Sequence, residues 1–458
     1  MESIWRKEEK ENKTDIKQSS ENSYHKSYDE GKQDVLIIGA GMAGILTAYF
    51  LQKEGKKVLI LEANEIASGQ TEGTTAKITS QHGLKYARLI RNAGRKKAKK
   101  YAEANEEAIN EYEELIKIEK IECDFKRVPS YVYSTRDKHT IQKEVDAALS
   151  LGIDCYYSKD TELPFSIKAA AVFRNQAQFS PLKFIQHLAE KLNIMEHMKV
   201  IQIKGKKVIA IDRNQKTHIF EGNHIVVTTH YPIKNIPGFY FIRQHQERSY
   251  VLALSGCKKI EGMYYGMDSD GLSFRQAGAY MLVSGEGHRT GQVKDGNAYE
   301  NLIKAAKLHF PDSKIEASWS AQDCVPHDGI PFIGKYSIFT PNLYAATGFQ
   351  KWGMTSSMAA ARIISDKICG RKNSYEKVFS PQRIHIYAGL GPFLMDCGVS
   401  IKGLIRGWLG KKEKRCTHQG CELKWNPNEK TWDCPCHGSR FSEDGKLMDN
   451  PSKMDLKH

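Results

Sequence analysis

Apolar positions along the chain change rhythm from one stretch to the next. Val35, Leu36, Ile37 and Ile38 form an unbroken apolar run of strand length that stops at Gly39. Ile45, Tyr49 and Leu51 then recur at helical spacing within residues 42–54, and residues 58–61 are a second buried run. Strand, helix and strand in that order predict a βαβ unit. Further along, residues 127–134, 243–254 and 278–284 alternate apolar and polar side chains as half-buried strands do, and Phe179-Ser180-Pro181 opens a helix. Residues 379–387 read as linker. Residues 389–409 show no alternation and read as an irregular or helical connection, followed by the charged run 411–415. Residues 1–33 are Lys-, Glu- and Ser-rich without an apolar segment, and are expected to be a disordered polar tail rather than a signal peptide.

With 458 residues, two or three domains with a sizeable core are expected. The composition, 40% hydrophobic and 27% charged, is that of an ordinary globular protein. No apolar run reaches the roughly 18–20 residues that span a bilayer. A cytoplasmic protein with no integral membrane segment is therefore expected. The net charge of +14 raises the question of nucleic acid. The cations are dispersed, however, and the densest group, residues 91–100, leads into the acidic stretch 103–114, the pattern of a solvated helix with mixed ion pairs. No nucleic-acid partner is expected.

Gly39, Gly41 and Gly44 stand in GxGxxG register between the first strand and its helix. The first permits the tight turn, the second a close approach of backbone to a pyrophosphate, and the third close packing of helix on strand. A pyrophosphate would sit on the free N–H groups of the helix start. Glu62 closes the second strand, where a carboxylate accepts hydrogen bonds from the adenosine ribose and repels a 2′-phosphate. These features predict a dinucleotide but do not separate FAD from NAD. Residues 34–369 resemble the flavin-dependent amine and D-amino-acid oxidase family. The matching segments are residues 67–69 and 74–77 (Thr75 among them), Met198-Lys199-Val200, residues 225–230, the segment Asp328–Gly334, and residues 342–348 followed by Gly353-Met354-Thr355 opening an Ala-rich helix. The resemblance implies FAD, with Thr75 passing the flavin, Val200 beside the adenine, and Gly353 and Met354 at a helix start facing the flavin pyrimidine.

The same resemblance implies an α/β FAD-binding fold of Rossmann-like type (FAD segments near 34–85, 180–235 and 320–370) with an inserted antiparallel-sheet substrate domain (near 120–180 and 240–318). Substrate-facing candidates are Arg275, His288, Arg289, Gln322, Asp323 and Lys351. Asp323 stands where many amino-acid oxidases carry a carboxylate-clamping arginine, four residues after Trp319. An aspartate there would repel a carboxylate, which favours an amine or cationic substrate, although Lys351 supplies a cation nearby. Hydride transfer to flavin needs orientation and desolvation more than an acid or base, so no obligatory catalytic residue is named.

Ten cysteines are present, and four fall between 416 and 436, interleaved with histidines. Cys416 with His418, and Cys434 with His437, supply two thiolates for one iron and two imidazoles for the other, the Rieske [2Fe–2S] arrangement. A zinc site is the alternative use of such ligands. The CTHQGC and CPCHGS segments resemble Rieske proteins more specifically. That resemblance implies a disulfide between Cys421 and Cys436, a Ser439 hydroxyl directed at a bridging sulfide, and a proline loop containing Pro451. Phe441 replaces the tyrosine of high-potential members, which implies a lower potential. The gap 379–415 shows no strand pair that could form the usual β-sandwich base, so a small, truncated all-β Rieske-like region (411–458) after a linker (376–410) is expected.

Taken together the chain resembles bacterial FAD-dependent oxidoreductases fused to a Rieske domain. The expectation is a dehydrogenase that oxidises a small amine or amino-acid-like substrate and passes electrons through the cluster to a protein acceptor. The alternatives are a flavoprotein oxidase with a vestigial cluster region and a redox-sensing or interaction module.

Overall fold

The computed structural model describes residues 2–15, 31–293, 296–383, 386–410 and 414–456. The predicted βαβ unit forms the centre of an eight-stranded sheet. Strand Gln33–Ile38 lies between Val58–Leu61 and Thr217–Val227, parallel to both, in the register Val35↔Val58 and Val35↔His224. Leu343–Thr347 continues the parallel run beyond Thr217–Val227, and Phe332–Lys335 turns back antiparallel at the edge. Both faces of the central strands are covered, by helices Met42–Lys53 and Gly353–Ile368 on one side and by the hairpin Lys199–Lys204/Lys207–Ile211 on the other. That is why they read as continuous apolar runs rather than alternating ones.

A nine-stranded sheet stands above the carboxyl ends of these strands. It runs Lys314–Pro326, Gln244–Ser255, Tyr280–Arg289, Ser273–Ala277, Met263–Gly266, Lys126–Ser134, Ala169–Gln178 and Lys77–Ile78, with Cys155–Ser158 paired beside Ala169–Gln178. The three strands expected from alternation are among them. Lys314–Pro326 extends past the boundary expected at 318, so Asp323 belongs to the substrate sheet.

One segment differs from expectation, and another takes one of the two forms expected of it. Residues Ile4–Asp15 are a helix, not a disordered tail. Ile4 and Trp5, the apolar pair within an otherwise polar stretch, are buried, and the Trp5 indole donates to Thr74 O at 2.8 Å. Residues 16–30 lie outside the described residues. The connection before the cluster region is a regular helix, Ile386–Leu409. It packs on a four-stranded antiparallel meander, Lys424–Asn426, Thr431–Asp433, Arg440–Ser442 and Leu447–Asp449, which is the small all-β unit. The helix approaches through glycine: a Cβ on Gly403 would lie 2.6 Å from Cys436 Sγ, and one on Gly407 would lie 2.1 Å from Gly420 O. A glycine-faced helix thus supports the ligand loops from below, where strands were missing.

Candidate functional site

A cavity of about 580 Å³ opens at the carboxyl ends of the parallel strands. Its floor is the glycine turn. Gly39 has φ +108°, a conformation favouring glycine, and a Cβ on Gly44 would meet Gly39 O at 2.0 Å, so helix and turn fit only without side chains. Gly39, Gly41, Glu62, Thr75, Val200, Gly353 and Met354 all line the cavity, whereas Gly44 lies beneath it at the helix–strand contact. Glu62 accepts from the amides of Ala40 (2.7 Å) and Asn64 (2.9 Å). Burial raises its pKa, while these amides oppose the rise. A side-chain-free turn, a helix start and a fixed acid at the second strand suit a dinucleotide's pyrophosphate and ribose.

At the other end of the cavity, strands Gln244–Ser255 and Lys314–Pro326 pair Glu247 with Asp323 and Ser249 with Ala321 directly opposite one another, so each pair shares a face. All four line the cavity. Lys351 Nζ lies 3.4 Å from Asp323 Oδ2. Burial raises Asp323 to about 6, against the pull of Lys351. Burial lowers Lys351, but the charge of Asp323 overcomes it and holds the ammonium at about 12. The pair is therefore ionic at neutral pH and loses its acid half below about pH 6. Glu247 is lowered by its hydrogen bond from His245.

His288 and Arg289 also line the cavity, but Arg275 does not. Its guanidinium is buried beside the cavity rather than in it, donating to the carbonyls of Thr75, Ala76 (2.7 Å) and Phe179 (2.9 Å) beneath Trp5. It holds the Thr75 segment in place; it shares its strand face with Ser273, which lines the cavity, but lies farther along the strand, beyond the cavity's edge. Gln322, between the lining residues Ala321 and Asp323, faces away, donating to Gly438 O at 2.9 Å and Gln246 Oε1 at 2.6 Å. Sequence reading placed Lys77 only within a flavin-passing segment. In the structure it is a buried amine in the cavity wall, donating to Tyr264 O at 2.8 Å and to Ser273 Oγ, with burial lowering it to about 7. Glu247 was missed altogether, although its odd-numbered register with Ser249 and Val251 was a usable signal.

In the cluster region, Cys416, Cys434 and His437 are buried and the imidazoles of His418 and His437 stand 5.0 Å apart, centroid to centroid. The Nδ1 atoms of both histidines are buried without a hydrogen-bond partner. Buried, unpartnered imidazole nitrogens beside two thiols are what a metal centre would satisfy. Burial lowers His418 to about 4 and His437 to about 3, so both are neutral donors. A hydrogen bond from Cys434 lowers Cys416 to about 7. His418 Nε2 is held by Asn235 at 2.9 Å, a partner from outside the region. The Cys421 and Cys436 sulfurs are joined across the two loops. Ser439 Oγ is hydrogen-bonded to Cys416 and accepts from Ser452 N–H at 3.0 Å, beside buried Pro451; Phe441 is fully buried.

The two sites share a wall. Residues 246, 248 and 250 of strand Gln244–Ser255 face opposite to 247, 249 and 251. Gln246 donates to His437 O at 2.7 Å and to Asn450 O at 3.0 Å, and Arg248 bonds Glu429 at 2.6 Å. Met448, Asp449, Asn450, Ser452 and Lys453, from the cluster region, themselves line the large cavity. Arg289 donates to Pro435 O (3.0 Å) and Cys436 O (3.2 Å) and pairs with Asp396 of the linker helix.

A dinucleotide cradle under an antiparallel substrate sheet, joined to a Cys/His cluster site, defines a flavin-dependent oxidoreductase with a Rieske module. The sequence comparisons agree: residues 34–367 match the FAD dependent oxidoreductase family (DAO) and residues 409–458 the Rieske [2Fe-2S] domain, and the chain belongs to that oxidoreductase family, with FAD and a [2Fe–2S] cluster as its cofactors. It is 36% identical to YhfW of Bacillus subtilis (strain 168), named as a Rieske 2Fe-2S iron-sulfur protein, over 93% of this chain and 92% of that one. The cluster end alone is 48% identical over 42 residues to the cytochrome b6-f complex iron-sulfur subunit 3 of Nostoc sp. (strain PCC 7120), covering 9% of this chain and 24% of that subunit. The fold resembles glycine oxidase from Bacillus cereus ATCC 14579 (TM-score 0.62, 18% identity, 77% of this chain and 99% of that one) and L-proline dehydrogenase from P. horikoshii (TM-score 0.63, 16% identity, 77% and 97%).

Proposed function

We propose that the protein is a dehydrogenase that oxidises a small amine or amino-acid-like substrate and passes the electrons through its cluster to a protein acceptor. The observation that carries this reading is the shared wall: odd residues of strand Gln244–Ser255 line the flavin cavity while Gln246 of the same strand bonds the backbone of His437. When bound, FAD accepts a hydride from a C–H next to a heteroatom, and a Rieske cluster carries one electron at a time.

In this reading Gly39, Gly41, Glu62, Thr75, Val200, Gly353 and Met354 hold FAD, with Gly44 setting the helix against the turn. Cys416, His418, Cys434 and His437 ligate the irons, and a Cys421–Cys436 disulfide ties their loops. Asp323 and Glu247 are carboxylates placed directly opposite each other, an arrangement unfavourable unless a cation neutralises it. Lys351 and His245 do so in the free protein. A substrate ammonium would add to that neutralisation and be oriented by it, with Lys351 left to meet an anionic group on a zwitterionic substrate.

The test compares turnover with oxygen and with a one-electron protein acceptor in the native chain and in Cys434→Ser. The native chain should prefer the one-electron acceptor, and the variant should keep flavin reduction by substrate while losing that transfer. Equal turnover with oxygen in both would make the chain an oxidase. Across a substrate panel, Asp323→Asn should weaken cationic amines most.

A further inference from the structure

The linker helix Ile386–Leu409 has two unlike faces. Asp396, Gly403 and Gly407 are buried and face the protein: Asp396 meets Arg289, His245 and His327, and the glycines meet the cluster loops. The opposite face carries Leu394, Met395, Ile401, Ile405, Trp408 and Leu409, between 53% and 79% exposed. Positions 394, 398, 401, 405 and 408 form one stripe along a helix. Lys402 and Arg406 are exposed beside it, and Asp396, the one acid between 394 and 410, is turned inward. The sequence that follows, Lys411-Lys412-Glu413-Lys414-Arg415, adds four cations and one acid.

We propose that this face docks on an anionic lipid bilayer, with the helix lying in the plane of the interface. A long apolar stripe ending in Trp, flanked by cations and free of exposed acid, is what the boundary between headgroups and acyl chains accepts. Monomeric proteins rarely leave so continuous an apolar surface to water. The helix does not cross: no helix among the described residues is long and apolar enough, and crossing would strip Asp396 from Arg289. A second copy of the chain fits less well, because self-pairing would bring Lys402 and Arg406 against their own counterparts. The short turn Tyr240–Ile242 also touches the helix. Phe239 and Ile242 are exposed there, a few residues from the Asn235 that holds His418. Docking would therefore bring the cluster loops near the bilayer surface. This inference does not depend on which substrate is oxidised.

The experiment is co-sedimentation of the full-length holoprotein with phosphatidylcholine vesicles, with and without phosphatidylglycerol, at low and high salt. The holoprotein should pellet with the anionic vesicles, less so at high salt. Ile405→Glu with Trp408→Glu should reduce binding at least about tenfold with flavin and cluster absorbance unchanged, and Lys402→Gln and Arg406→Gln should each reduce it about fivefold. Failure to pellet at low salt, or equal pelleting of the double glutamate variant, would overturn the proposal. So would a dimer in sedimentation velocity that the same variant splits, with no vesicle binding, since the face would then belong to a second copy.

Discussion

The two cofactor regions are built in opposite ways. The flavin cradle is continuous with a large parallel-sheet core, and its key atoms are backbone groups fixed by glycine turns and by Glu62. The cluster region has a core of Leu423, Phe441 and four cysteines. So small a core rarely holds a fold by itself. What holds it here comes from elsewhere in the chain: Gln246, Arg248 and Arg289 from the substrate sheet, Asn235 at His418, and the glycine face of the linker helix. The comparison teaches that the flavin half is organised by its own fold, while the cluster half is organised by docking and by its metal.

Four variants or conditions would sharpen that contrast. Arg248 is buried in a charge network with Glu429 and Asp449, and Arg440 joins Glu429, Asp433 and Asp449 in it. Arg248→Ala leaves Glu429, Asp433 and Asp449 to share the single charge of Arg440 and should cost about 3–5 kcal/mol, confined to the cluster region. Hydrogen exchange in residues 414–456 should accelerate while the glycine-turn amides stay protected. Gly407→Ala puts a methyl against the Gly420 backbone and should cost about 1–3 kcal/mol, with cluster absorbance lost on heating before flavin is released.

Asp323→Asn should raise KM for a cationic amine by about tenfold, an effect of about 1.4 kcal/mol. In the native chain KM for such an amine should climb as pH falls through about 6, where the Asp323 carboxylate is protonated, and the variant should show no such limb. The smallest effect concerns acid stability. Burial raises Asp396, but hydrogen bonds from His245 and His327 and the charge of Arg289 bring it far below the usual range. A depressed acid gives its stabilisation above its unfolded pKa and loses it as pH falls toward the folded value. The clasp between linker helix and sheet should thus be whole at neutral pH and loosen progressively below about pH 4, as followed by near-ultraviolet circular dichroism, with Asp396→Asn lacking that dependence.

Local chemistry was legible in the sequence. The glycine spacing and Glu62 wrote out the cradle, because backbone turns and strand ends leave their marks within thirty residues. The Cys/His spacing likewise marked Cys416, His418, Cys434 and His437, which the structure brings together. Position along a strand was harder: Arg275 shares a face with the cavity-lining Ser273, but two residues farther on it bonds the Thr75, Ala76 and Phe179 carbonyls beneath Trp5 instead. The clasp of Arg289, His245, His327 and Asp396 joins four distant segments and left no local pattern. The linker read as irregular or helical, a choice left open where Gly389, Gly391, Gly398, Gly403, Gly407 and Gly410, poor helix formers, interrupt the apolar residues. The two of them that the helix buries at the cluster loops, Gly403 and Gly407, buy a close approach to the disulfide that no propensity reveals.

The central claim, that substrate electrons reach the cluster across the shared sheet, is tested most directly by anaerobic addition of a reducing substrate followed by low-temperature electron paramagnetic resonance. The account predicts that the signal of a reduced Rieske cluster appears as flavin absorbance bleaches, in native protein and not in Cys434→Ser. A fully bleached flavin beside a cluster that stays oxidised, yet is reducible by dithionite, would contradict it.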